Sequence, residues 1–519
     1  MRLLHQALTS HQQGRLEVAM AQYQQVLAVD PTNFDALYGL GMLYGQQRRL
    51  EEALHCFTAT CAARPGDFSI HYNRGVALQE LGRYGEAEDS YRRAIALRPD
   101  FADAHDNLGV VLKEQGRFDE ALAQLDKALS LAPAAPMAHN NRGAVLETLG
   151  RYDEALADCD MAIALNPNLA KAHNNRGVLL TRLHRYDEAM AGYDRAIALR
   201  PDYAEAYYNK ALLALLLGDY AQGWPLYEWR WQTALKDYVR DFHQPLWLKD
   251  RSLAGRSLLL YGDQGFGDVI QMLRYLPRVT AQCGKLILEV PGALVPLLAT
   301  QRKNYTLVAK GSPLLGFDLH CSLMSLPLAF KTTLETIPAP LSYLTADERR
   351  RAAWRQRLGP KTKPRIGLAW SGNPEHKNDH NRSLPLRTLL PLLERDCEFH
   401  SLQKEVRAAD RDTLASLPQL KAHQDELNDF ADTAALIAEL DLVISVDTAV
   451  AHLAGAHLAG ALGKPVWILL PYDPDFRWLT ERSDSPWYPS ARLFRQPRLG
   501  DWPGVVTAVG EALAALHRE

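Results

Sequence analysis

Apolar residues in the first 235 positions fall in short blocks at helical spacing, paired across a turn and repeated every 34 residues. The unit 101–133, FADAHDNLGVVLKEQGRFDEALAQLDKALSLAP, shows the plan. It predicts two helices separated at Gly116-Arg117-Phe118, where the glycine ends the first helix and the aromatic packs the turn. Pro133 stops the second helix, because proline cannot continue one. Three columns keep the period: Pro31, Pro65, Pro99, Pro133, Pro167 and Pro201; Gly41, Gly75, Gly109, Gly143 and Gly177, closed by Ala211; and Ala19, Ala53, Ala87, Ala121, Ala155 and Ala189, where two helices must approach closely. A fixed period of this length predicts an α-solenoid of stacked helix pairs rather than one globular core.

Beyond residue 250 the pattern changes to short apolar runs, glycine-rich turns and helices. Ser257–Tyr261 reads as a buried strand running into Gly262-Asp263-Gln264-Gly265-Phe266-Gly267-Asp268 and a helix over 269–276; Lys285–Val290 reads as a second strand. A second α/β unit opens at Arg365–Trp370, followed by Ser371-Gly372-Asn373 and a polar basic loop from Lys377 to Ser383. Further strands are predicted over 399–402, 442–445 and 465–470, with Gln403-Lys404 and Asp447-Thr448-Ala449 at strand ends and a helix over 432–438. Two Rossmann-like lobes in series imply ligand binding beyond their strand C-termini. The domains expected are a solenoid with an aromatic junction over 1–235, a first α/β lobe over 250–350 and a second over 360–519. The junction crowds Trp224, Tyr227, Trp229, Trp231 and Trp247 together; it reads as a plug joining the last repeat to the next domain, since so many exposed tryptophans would be costly.

Bulk properties narrow the partners. A chain of 519 residues exceeds one core, and a formal charge of −3, from 58 basic and 61 acidic residues, argues against a general nucleic-acid or acidic-membrane binder. The six cysteines are scattered without a CxxC and read as buried apolar residues in a reducing compartment. The N-terminal MRLLHQALTSHQQGR has no apolar stretch long enough for a signal peptide, and no segment approaches the ~20 apolar residues that span a bilayer. A cytoplasmic protein without a membrane span is the expectation.

The 34-residue unit resembles the tetratricopeptide repeat over roughly residues 2–220. Two further columns do not follow from its packing signature: Asn73, Asn107, Asn141, Asn175 and Asn209, and His71, His105, His139 and His173 followed by Tyr207. The first helices of such repeats line a concave groove, and an asparagine column there resembles the peptide-binding ladder of the O-GlcNAc transferase repeats. The alternative is that each Asn ties one helix to its neighbour. Stacked repeats stand about 10 Å apart, too far for the histidines to share a metal held at ~2 Å.

In the second half GFGDVIQ resembles the first-lobe signature of the heptosyltransferase-type (family 9) glycosyltransferases. SVDTAVAHLAGA followed by LGKPVW resembles their second-lobe donor-phosphate signature. The resemblance implies a GT-B fold and metal-independent inversion with a nucleotide sugar as co-substrate and no cofactor. The whole arrangement is similar to tetratricopeptide-repeat glycosyltransferases, including those of flagellin. Under it Asp268 is the candidate base, or else only a helix cap, and Gln264, Gly265, Phe266 and Gly267 line the cleft. Ser371, Asn373, Asp447, Thr448, Ala449 and His452 belong to the donor site. Lys377, Arg382 and Lys404 are candidate charge partners of the leaving diphosphate, and Gln403 a contact to ribose or base. The motif departs from the family in a tandem HLAGA, so that either His452 or His457 fills the expected place; five residues turn a helix by about 1.4 turns. Asp473-Pro474-Asp475 mimics a metal motif but reads as loop structure. The expected function is sugar transfer to Ser/Thr of a protein held by the repeats. A lipid or polysaccharide acceptor and an inactive repeat scaffold are the alternatives.

Overall fold

The computed structural model describes residues 2–233, 235, 239–301, 304–339, 343–376, 378–456 and 465–516. The chain divides into two compact units, Met1–Asp202 and Tyr203–Glu519. The repeat pattern runs on past the division, so packing assigns the last helix pair to the α/β part.

In the first unit the leading helices of the pairs span Arg2–Gln12, Phe34–Gln46, Phe68–Glu80, Ala102–Glu114, Pro136–Thr148 and Ala170–Arg182. Their partners span Leu16–Val29, Leu50–Ala63, Tyr84–Leu97, Phe118–Leu131, Tyr152–Leu165 and Tyr186–Leu199. The alanine column is fully buried at every position from Ala19 to Ala189. Gly116 adopts φ +77° between its two helices, a conformation that costs other residues a Cβ clash. The glycine column has a different cause. A Cβ at Gly75, Gly109 or Gly177 would stand 2.7, 2.6 or 2.7 Å from Tyr91, Leu125 or Tyr193, inside van der Waals contact. Gly45, also helical, has nothing within 4 Å of that position. Gly177→Ala is therefore expected to cost about 1–3 kcal/mol through overpacking. Gly45→Ala should stabilise by up to ~1 kcal/mol through lost unfolded-chain entropy. Circular-dichroism melts of the two variants should move in opposite directions, and a common direction would refute the packing account.

The second unit opens with the helix pair Ala204–Leu216 and Tyr220–Tyr227. Two parallel sheets come next in the chain. The first contains β1 (Ser257–Tyr261), β2 (Lys285–Val290), β3 (Thr306–Ala309) and β4 (Leu319–Ser322), in the order β3-β2-β1-β4. The second contains β5 (Arg365–Ala369), β6 (Glu398–Ser401), β7 (Leu420–Lys421), β8 (Leu442–Val446), β9 (Val466–Leu470) and β10 (Ala491–Arg495), in the order β10-β9-β8-β5-β6-β7. Every described ladder is parallel. Strands β5, β8 and β9 are buried at each position, as continuous apolar runs require when both sheet faces are covered. Strand order reverses between β1 and β4 and between β5 and β8, the crevices where such sheets take ligands.

Three of the five junction aromatics are buried, and Trp229 and Trp231 are half-buried. Trp224, Tyr227 and Trp247 are buried. Trp224 lies edge-on to Phe476 (5.9 Å) and Trp487 (6.4 Å), and the Trp487 indole N–H donates to Tyr220 Oη (2.8 Å). Arg230, from the same segment, closes the β1/β4 crevice. It faces Asp263 (3.5 Å), donates to Ser325 Oγ (2.8 Å) and pairs with Glu228 (2.5 Å).

Candidate functional site

Asp268 sits in the first turn of the helix Phe266–Met272, which follows β1. Its Oδ2 accepts the Gly265 backbone N–H at 2.9 Å, so it does cap the helix. Its Oδ1 pairs with Arg477, which stands in the loop after β9 and belongs to the opposite sheet. Arg477 also pairs with Asp475 (2.7 Å) and donates from Nε to Gln271 Oε1 (2.5 Å). Burial disfavours its charge, but Asp268 and Asp475 outweigh that and hold the guanidinium firmly protonated.

The helix Ala449–Ala456 brings His452 to the same place. A Cβ on Gly267 would lie 2.6 Å from His452 Cδ2, so only glycine lets the two helices meet there. His452 Nδ1 is 2.7 Å from Tyr488 Oη, Nε2 is 3.6 Å from Asp447 Oδ1, and the ring stacks on Trp478 at 5.6 Å. Burial raises the Asp447 carboxyl, but the His452 contact and Arg477 more than reverse this and hold it below its ordinary range. Burial raises Asp475, which Arg477 only partly offsets. The DPD sequence thus carries Arg477 and caps its turn, the Asp475 carboxylate accepting the Arg477 N–H at 3.0 Å. Three carboxylates from two lobes converge on one guanidinium. His457 lies outside the described residues, and so does Lys377.

A second group of polar atoms surrounds the end of β5. Ser371 Oγ, Arg382 Nε and Arg407 Nε are buried and find no hydrogen-bond partner among the described residues, Arg382 Nε standing 3.9 Å from Asp379 Oδ1. Arg382 packs against Gly372, where a Cβ would stand 2.9 Å from Nη2. Arg407 holds the loop through Gly372 O (3.2 Å) and Ser383 Oγ (3.0 Å) and pairs with Asp379. Asn381 donates to Asp473 O (3.5 Å), linking this loop to the one that carries Arg477. His376 lies in the field of both groups: burial first and then Arg382 lower its pKa, while Asp475, Asp268 and Asp447 oppose them. Thr448 Oγ1 is 3.2 Å from Ser445 Oγ, beside Asp447 and Ala449.

Other expected residues have different work. Gln403 donates to Ser371 O and Glu405 O (both 3.0 Å) and accepts from the Trp370 and Ser371 amides (both 3.3 Å). Its amide is spent stapling two strand ends, which corrects the ribose or base assignment. Lys404 is exposed and donates to Gln424 O (3.0 Å). Asn373 accepts the Glu375 N–H (3.0 Å), and Gln264 donates to Tyr227 Oη (2.8 Å). Phe266 is partly exposed against Phe430, 5.0 Å away.

The asparagine column ties repeat to repeat. Asn73, Asn107, Asn141 and Asn175 donate to Tyr38, Tyr72, Asp106 and Asn140, each 35 residues earlier, at 2.8–3.1 Å. One N–H of each amide is thereby committed, and the Asn141 and Asn175 oxygens also accept from Lys171 and Asn174 at 3.4 Å. Asn209 lies half-buried on the Ala204–Leu216 helix of the second unit. The histidine column fastens each leading helix to the turn before it: His71, His105, His139 and His173 meet the carbonyls of Pro65, Pro99, Pro133 and Pro167 at 3.0–3.1 Å. Arg477 and Arg407 were not singled out from sequence; the only signal was an arginine inside each loop at a strand end.

Similarity to known proteins is concentrated in the repeats. Residues 9–48, 34–66, 66–134, 107–170, 170–203 and 193–224 match tetratricopeptide-repeat family descriptions. These are protein-interaction modules, and the N-terminal part is a scaffold of that kind. Protein FlbA of Caulobacter vibrioides is 27% identical over 326 residues, 58% of this chain. The chain spans about half, 53%, of that relative's length. Among solved structures, MamA is 27% identical, with 32% of this chain and 96% of that chain covered and a TM-score of 0.30. A tetratricopeptide repeat protein from Parabacteroides merdae is 20% identical, with coverages of 44% and 90% and a TM-score of 0.40. YrrB, described as having an unusual peptide-binding site, is 24% identical, with coverages of 37% and 98% and a TM-score of 0.30. No described helix is long and apolar enough to cross a membrane.

Proposed function

We propose that the repeats recruit a polypeptide and that the α/β unit, a two-lobed transferase of the GT-B kind, moves a sugar from a nucleotide sugar to a Ser or Thr hydroxyl of it. The observation that carries this reading is the meeting of Asp268 with Arg477, Asp447 and His452 at the C-terminal ends of two parallel sheets. The Ser371, Arg382 and Arg407 atoms that lack a hydrogen bond among the described residues have the donor chemistry that phosphate oxygens accept. In the step, the acceptor oxygen bonds to the anomeric carbon as that carbon's bond to phosphate oxygen breaks. The hydroxyl proton passes to Asp268, and the nucleoside diphosphate departs with the electron pair, its charge met by the guanidinium groups.

A scaffold without catalysis is the second reading. It is favoured by the repeat matches and by the engagement of both Asp268 oxygens. A thermal-shift screen separates the two. All ten tryptophans lie between Trp224 and Trp502, so their fluorescence reports the second unit alone. UDP, ADP, GDP, CMP and dTDP are tested one at a time. A ligand at 100 times its Kd stabilises by about 2.7 kcal/mol, enough to move the transition by several degrees. One nucleotide should give that shift; no shift with any of them leaves the scaffold reading in place.

A further inference from the structure

We infer that Arg477 has two alternative partners, the Asp268 carboxylate it holds here and the diphosphate of the donor, so that donor binding is what frees the base. This rests on the nucleotide-sugar reading above. The Arg477 fork is used on three sides: Nη2 on Asp268, Nη1 on Asp475 at 2.7 Å and Nε on Gln271 at 2.5 Å. Asp268 is equally committed, one oxygen to Arg477 and the other to the Gly265 amide at 2.9 Å. An acceptor hydroxyl arriving in this arrangement meets two oxygens that each already accept one hydrogen bond, one of them from a guanidinium, and both are weaker bases for it. A guanidinium binds phosphate through the same fork geometry as carboxylate, and a diphosphate brings more charge than one Asp. The exchange trades one anionic partner of Arg477 for another, and it restores the basicity of the Asp268 oxygen the reaction needs.

The surroundings fit a transferable arginine. Arg477 stands in the loop after β9, one strand from Asp447-Thr448 at the end of β8, and Asn381 ties that loop to the one that carries Arg382. Gln271 is fully buried, and its Nε2 finds no partner among the described residues although its Oε1 holds Arg477. A polar group so placed marks a centre built for a further oxygen-bearing ligand. The binding order is then donor first and acceptor second, with Asp268 latched until the leaving group is in place. Such a latch also protects the nucleotide sugar from water.

The full-length chain is titrated with inorganic pyrophosphate, and then with the nucleoside diphosphates UDP, GDP and dTDP, by calorimetry. Asp268→Asn keeps an acceptor for the Gly265 amide but removes the charge that competes for Arg477. It should tighten pyrophosphate about tenfold or more, within the ~5–150-fold range usual for coupled contacts. In Asp268→Asn/Arg477→Gln, which also takes Arg477 from Asp475 and is first shown to keep a cooperative unfolding transition, the gain should vanish and affinity fall below wild type. Unchanged or weaker binding in Asp268→Asn overturns the latch, and so does a gain that survives in the double variant. Absence of binding by pyrophosphate and by every nucleotide, in wild type and Asp268→Asn alike, overturns the nucleotide-sugar reading itself.

Discussion

Arg230→Met should destabilise the second unit by about 3–5 kcal/mol, the usual penalty for removing one partner of a buried ion pair. Arg230 is fully buried. It faces Asp263 at 3.5 Å and Glu228 at 2.5 Å and lies over the Tyr227 and Trp231 rings. Without it, Asp263 keeps the Ser322 hydroxyl, 2.6 Å away, and a backbone N–H but no cation. Burial already pushes the Asp263 carboxyl up, and Arg230 is the chief opposing influence, so the variant pushes it further. Between the ordinary carboxylate range and that raised value, the folded protein holds a proton that the unfolded chain has released. Folding stability therefore falls as pH rises through that window. The deficit relative to wild type should be small in acid and full at neutral pH. Urea unfolding followed by tryptophan fluorescence at pH 4.5 and pH 7 measures it, and an equal deficit at both would refute the charge account. Arg230→Met combined with Asp263→Asn and Glu228→Gln should regain much of the loss.

Legibility followed locality. The solenoid could be read because each repeat packs against its neighbours, so the reasons for its proline, glycine and alanine columns recur every 34 residues. Strands β1 and β2 were legible as Ser257–Tyr261 and Lys285–Val290 because each is centred on three consecutive aliphatic residues, 258–260 and 286–288. The edge strand β10 was not read. Its Ala-Arg-Leu-Phe-Arg carries charges, and only pairing with β9 makes it a strand. In the candidate site, Asp268, Asp447 and His452 were singled out because GFGDVIQ and SVDTAVAHLAGA resemble signatures of one transferase family. Arg477 was missed because its partner Asp268 lies 209 residues away, and its own proline-broken loop has no pattern. Gln403 misled for the opposite reason: a polar residue at a strand end looks like a ligand contact, whether its amide faces a substrate or, as here, the Ser371 loop.

Asp268→Asn should lower sugar transfer by about 10²–10⁴-fold, the range lost when a general base is removed, while the same variant binds pyrophosphate more tightly. Affinity and turnover moving in opposite directions is what sets a base apart from a helix cap. Asparagine accepts the Gly265 N–H as well as aspartate does, so an Asp268 that served only as a helix cap would lose no more here than its ion pair with Arg477. Alanine removes cap and base together, and Asp268→Ala should show the same fall in transfer with a loss of stability greater than that of Asp268→Asn by ~1 kcal/mol, the worth of the cap. Release of nucleoside diphosphate from the sugar nucleotide chosen by the thermal-shift screen gives the rate, and calorimetry gives the affinity. Retained transfer in Asp268→Asn would make Asp268 a cap alone and leave the proton to another group near the acceptor. His452 would be the first to test, because its ring reaches the same centre from the opposite lobe and stands against Gly267, next to Asp268 in the chain.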